Sequence, residues 1–148
     1  MILYNLTNMK RCFDSYVKEN LEIIESLNIN FEGLPFDDNL VNGWITPRIL
    51  DSYDNRAYRD DEVKQSANIF YQVSIYTKKS SVTSSEEHYR VRDCVDRYFH
   101  IGKDIVYQQS GSTLAIARVR ELINDFSLPE TNELYQYVLA YEIDYNEI

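Results

Sequence analysis

Apolar and polar positions along this chain repeat with two periods, and the switches between them mark its elements. Across Asn68–Thr77, Ile69, Tyr71, Val73 and Ile75 alternate with Phe70, Gln72, Ser74 and Tyr76. A period of two predicts a strand with one apolar and one mixed face. A loop, Lys78–Thr83, follows it. Three more strands are predicted later, at Asp104–Gln109, Leu114–Leu122 and Leu134–Tyr145. In the last, Tyr135, Tyr137, Leu139, Tyr141, Ile143 and Tyr145 share one face. Ser110-Gly111-Ser112 reads as a hairpin turn, and Ser127–Asn132, with Pro129, as a loop.

Two stretches carry the helical period instead. From about Leu3 to Leu27, Met9, Phe13, Tyr16, Val17, Asn20, Ile24 and Leu27 recur at three- and four-residue steps, with Asn5 or Thr7 placed to cap the start. From Ser84 to Phe99 the stripe is Val91, Val95, Tyr98 and Phe99; Ser84 and Glu87 have capping-box spacing, and Gly102 supplies a stop. Between the helices, short strands are expected near Ile29–Phe31 and Trp44–Leu50. Pro47 confines the second to an edge or a bulge. The polar run Asp51–Gln65 exceeds the usual connection of about four to six residues, and is the candidate partner-contacting arm. The expected order is α-β-β-β-α-β-β-β. That describes a single α+β domain over residues 1–148, with a mixed, mostly antiparallel β-sheet flanked by two α-helices.

Composition sharpens this outline. A chain of 148 residues that is 44% hydrophobic can bury a core. Its net charge of −9 comes with no clustered Lys or Arg, and Lys78-Lys79 and Arg118/Arg120 are the nearest approaches. Sequence-independent nucleic-acid binding needs such clusters. Thirteen tyrosines suit strands and interfaces. Cys12 and Cys94 fall in the predicted helices and read as reduced thiols. Neither a signal peptide nor a membrane span is expected.

Candidate chemistry is sparse. His88 and His100 each stand six residues from Cys94, on different helix faces, without a metal-ligand spacing. Asp51, Asp54, Asp60, Asp61 and Glu62 gather acids but lack EF-hand spacing and its glycine. Asp93 and Asp96 share a helix face flanked by Arg92 and Arg97, as surface pairs do. The four glycines are scattered singly, so no phosphate loop is present. No enzyme activity, cofactor or metal is expected. The tyrosine stripe of the last strand keeps two readings, a core packed under helices or a face meeting a neighbouring subunit.

The order of segments carries a resemblance. A helix of about twenty residues leads into Asn-Ile-Asn-Phe-Glu-Gly at residues 28–33, then Gly-Trp-Ile-Thr-Pro at 43–47, a polar loop, and Gln-Val-Ser-Ile-Tyr at 72–76. A helix with His-Tyr-Arg-Val-Arg-Asp-Cys-Val-Asp-Arg-Tyr-Phe at 88–99 and a three-stranded set complete it. Over nearly the whole chain this resembles the tail terminator, or tail completion, proteins of tailed bacteriophages. The resemblance implies a virion structural protein, assembled in the host cytoplasm, that forms a ring, usually hexameric, on the tail tube. Such a ring ends tube growth and joins the tail to the head-completion connector, with DNA passing through without specific binding. It further implies subunit or partner contacts at the edge strands around Trp44 and Ile143, with Tyr141 and Tyr145. The arm bearing Asp51, Tyr53, Asp54, Tyr58, Asp60, Asp61 and Glu62 would reach a partner. Another neck or head–tail connector protein is one alternative. An acidic DNA mimic that inhibits a nucleic-acid enzyme is a second, and a small metal-dependent enzyme built on the acidic loop is a third.

Overall fold

Two helices lie on one face of a five-stranded antiparallel sheet. A computed structural model describes residues 6–54, 66–129, 131 and 133–148. Helix α1 spans Leu6–Val17 and runs into a π-helical stretch at Lys18–Ile24. The strands are β1 (Gly43–Asp54), β2 (Ser66–Lys78), β3 (Asp104–Gln109), β4 (Ser112–Ser127) and β5 (Leu134–Glu147), with α2 (Ser84–Tyr98) between β2 and β3. Their order across the sheet is β1-β2-β5-β4-β3, with every neighbouring pair antiparallel.

The alternation in β2 and β5 sets the core. Ile69, Tyr71, Val73 and Ile75 on β2, and Leu139, Tyr141, Ile143 and Tyr145 on β5, are fully buried beneath Met9, Phe13 and Val17 of α1 and Val95 of α2. An aromatic chain crosses this layer. Phe13 stacks on Tyr71 at 4.7 Å, Tyr71 on Phe99 at 5.7 Å, and Phe99 on Tyr141 at 5.2 Å. Each such pair adds roughly 0.5–1.5 kcal/mol beyond the area it buries. From Leu139 to Tyr145 the stripe is therefore core, while Tyr135 and Tyr137 are half-buried. Tyr141, Ile143 and Tyr145 sit on a central strand, so the expectation of an edge near Ile143 is corrected.

Several boundaries differ from expectation for local reasons. The apolar stripe of α1 was expected to continue through Asn20 and Ile24. At the end of the π-helical stretch Glu25 N–H donates to Asn20 O (3.2 Å) and Leu27 N–H to Leu21 O (2.9 Å). The wider turns rotate the face, so Leu21 is buried and Ile24 is 61% exposed. Ile29–Phe31 is not a strand of the sheet; Ile29 forms one parallel bridge to Ile45. β1 reaches Asp54, past the expected end at Leu50, through a bulge between Ile49 and Asp51. β4 reaches Ser127 with bulges between Val119 and Glu121 and between Leu122 and Asn124. A bulge adds a residue without reversing the faces beyond it, which hides such strands from a strict period of two. Ser84 is not a capping residue. It lies inside α2, where its Oγ accepts from the N–H groups of Ser80 and Ser81, both at 3.0 Å. The β3–β4 hairpin turns through Ser110 (φ 53°) and Gly111 (φ 82°), the two successive left-handed residues of a tight type I′ turn.

Candidate assembly interface

The sheet ends in two unlike edges, and the hydrogen-bond alternation shows which backbone groups each leaves open. In an antiparallel strand, the N–H and C=O of one residue point to the same side, and successive residues alternate. On β1 the outward residues begin at Gly43, whose carbonyl accepts from Asn28 Nδ2 (3.0 Å), and continue with Ile45. The Ile45 N–H donates to Asn28 O (2.9 Å), and its carbonyl accepts from Asn30 N–H (2.8 Å). Pro47 is next, so the N–H it lacks falls on the side away from β2 and breaks no ladder bond. Its carbonyl accepts from Arg48 Nη1 at 2.6 Å. Beyond Pro47 the same alternation, carried past the bulge, turns Ile49, Ser52 and Asp54 outward.

The opposite edge is divided. β3 covers Ser112–Arg118 of β4, and Val119 is held by Gly102 N–H (2.8 Å) and Lys103 O (3.0 Å). From Glu121 to Ser127, among the described residues, β4 pairs on its β5 side alone. There the outward residues are Leu122, Asp125 and Ser127.

Asp125 is tied to the helix side of this open segment. Arg92 of α2 donates to it through Nε (3.2 Å) and Nη2 (2.5 Å), and Tyr137 Oη donates to Oδ1 (2.5 Å). Burial opposes ionisation of Asp125, but those bonds and the Arg92 charge hold its carboxyl below the usual carboxylate range. Nearby, Tyr141 Oη donates to Asp96 at 2.9 Å. His88 is buried beside this network. Its Nδ1 lies 2.8 Å from Thr77 Oγ1, its ring stacks on Tyr135 at 5.6 Å, and burial lowers its pKa. Among the described residues no group of His, Cys, Asp or Glu has a metal-binding arrangement.

The sheet face away from the helices combines two surfaces. At the β1 end Trp44 stacks on Tyr76 at 5.0 Å, and Gln136 donates to Tyr76 Oη at 3.1 Å. Ser74, Val138 and Ala140 are buried on this face although neither α1 nor α2 covers it, as small side chains low between taller neighbours. At the β3 end, opposite charges alternate. Arg118 binds Asp104 with two bonds, of 2.8 and 3.1 Å, and Arg120 binds Asp144 at 2.8 Å. The Arg118 bond holds the Asp104 carboxyl below its ordinary range.

Of the residues anticipated as contacts, Trp44 stands at the edge strand, half-buried. Asp51, Tyr53 and Asp54 lie in β1 rather than in a loop. Tyr58, Asp60, Asp61 and Glu62 lie outside the described residues. The open half of β4 was missed. Its only sequence signal is Ile123 and Phe126 among polar residues beyond Leu122, each 42% exposed in the fold.

No family model matches the chain, and no curated protein matches it by sequence. The fold itself has counterparts, with 13 chains of solved structures matching it. One aligns over 97% of this chain and 96% of its own length, with a TM-score of 0.62 and 14% identity. At that identity the likeness establishes a shared α+β fold. No helix among the described residues is long and apolar enough to cross a membrane.

Proposed function

We propose that this chain is a tail terminator of a tailed bacteriophage. In this reading it forms a head-to-tail ring, six copies being the expected number. The ring caps the tail tube, ends its polymerisation and joins it to the head-completion protein, and DNA passes through the lumen of the assembled virion. One observation carries the reading. Among the described residues, a single antiparallel sheet ends in unlike open edges, β1 on one side and β3 with the free half of β4 on the other. A closed ring needs two different faces that fit each other, one from each neighbour. Open strand edges are the part of a sheet most ready to pair with another chain.

The charge supports the same reading. A net charge of −9 without basic clusters suits a lumen that DNA slides past. The DNA-mimic alternative needs unpaired carboxylates spaced like phosphates. On the sheet face, Asp104 and Asp144 are instead each neutralised by an arginine.

Adding the purified protein to polymerising tail-tube protein tests the proposal, with tube length read by electron microscopy. Tubes are expected to stop growing and to carry a ring at one end, of about six times the 17.5 kDa chain. Unchanged tube growth overturns the terminator role, and a ring that ignores the tube moves the protein to another position in the neck.

A further inference from the structure

We propose that the open half of β4, Glu121–Ser127, pairs with β1 of the next copy of this chain, so that the sheet runs on from subunit to subunit. This rests on the ring reading above and names its contact.

Strand direction selects β4 over β3. Because every neighbouring pair is antiparallel, β1, β5 and β3 run one way and β2 and β4 the other. Copies in a ring whose axis is inclined to the strands, which staggers neighbouring edges along their length, keep those directions. The β1 of a neighbour is then antiparallel to β4 but parallel to β3. Antiparallel pairs are the more stable, and they are the pairing this sheet uses throughout.

Each segment also offers three outward residues. β4 presents the outward N–H and C=O of Leu122, Asp125 and Ser127, with a bulge after Leu122. β1 presents those of Ile49, Ser52 and Asp54, with a bulge after Ile49. On the earlier part of β1, Ile45 is already bonded to Asn28 and Asn30, and Pro47 has no N–H. Among the described residues, that leaves the Ile49–Asp54 stretch as the section able to pair.

Edges that must stay single are guarded by Lys, Pro or inward-facing charge. Between Glu121 and Ser127 there is neither Lys nor Pro, and the Asp125 charge is held by Arg92. Apolar side chains stand exposed on both segments. Ile123 and Phe126 on β4 are each 42% exposed, and Leu50 at the β1 bulge is 55% exposed.

The test combines a double variant with hydrogen exchange. Ile123→Lys places a charge on the open edge. Ser127→Pro removes an outward N–H without touching the β5 ladder. Sedimentation of the double variant is expected to show assembly weakened at least tenfold, with the circular dichroism of the parent. Parent-like assembly by a folded double variant overturns the pairing and leaves the ring reading standing. In the unmodified protein, exchange of the Leu122, Asp125 and Ser127 amides is expected to slow at least tenfold from dilute monomer to assembled ring. Equal rates in the two states overturn the proposal independently of any variant. Protection that appears only when tail-tube protein is added assigns the edge to that partner and overturns self-pairing. A chain that remains monomeric both alone and on tubes overturns the pairing and the ring together.

Discussion

Tyr71 and Tyr141 sit side by side in the core yet make opposite predictions for the same one-atom change. Tyr71 is 1% exposed, and its hydroxyl has no hydrogen-bond partner among the described residues. Burial pushes its pKa well above the ordinary phenol value, so the group stays neutral and protonated. Burying an unsatisfied hydroxyl costs about 1–3 kcal/mol. Tyr71→Phe removes that group and keeps the ring stacked between Phe13 and Phe99. Its expected effect runs from neutral to about 2 kcal/mol of added stability. Tyr141→Phe instead deletes the donor to Asp96. A hydrogen bond to a charged group contributes roughly 1.5–3 kcal/mol. The Asp96 side chain is 34% exposed, so water recovers part of the loss and about 1 kcal/mol remains. The two variants should therefore differ by roughly 2 kcal/mol, or about 4–8 °C in Tm for a domain of this size. Urea unfolding of both, with equal m-values as the control, measures it. If Tyr71→Phe is less stable than the parent by more than about 1 kcal/mol, its hydroxyl is satisfied and the reasoning fails.

The charged and buried groups give further expectations. Because the Asp125 pKa is depressed on folding, its contribution is present above the ordinary carboxylate value of 3.8 and is lost as pH falls through the lower folded value. Asp125→Asn should therefore flatten the acid limb of a stability–pH curve below that value; an unchanged limb refutes the Arg92–Asp125 contribution. The His88 pKa is also lowered, so its contribution is complete above 6.5 and is lost as pH falls from there through the folded value. His88→Gln should remove that slope from denaturation curves taken between about pH 7 and 5, and a slope that persists counts against a buried neutral imidazole. Burial pushes the Cys12 thiol up to about 12. Iodoacetamide at pH 8 should leave Cys12 unmodified in the native protein and label it on unfolding, as mass spectrometry of the Cys12 peptide would show.

Much of the layer structure was legible in the order of residues. The alternation from Ile69 to Ile75 and from Tyr135 to Tyr145 identifies strands and says which side chains share a face. The stripe through Val91 and Val95 identifies α2, and Pro47 identifies an edge. Periodicity is a local property, set by backbone geometry over a few residues, so it survives without knowledge of neighbours.

Only the tertiary structure decided what those faces meet. Tyr141, Ile143 and Tyr145 look equally suited to a core or to an interface until β5 is seen between β2 and β4, under Phe13 and Phe99. The bulges that carry β1 to Asp54 and β4 to Ser127 interrupt the local period, so those strands read as shorter than they are. The candidate interface is the half of β4 left uncovered because β3 is only six residues long. An open edge is defined by the strand that is not beside it. Strand order is settled by burial and pairing between segments far apart in the chain, which no local pattern of residues encodes.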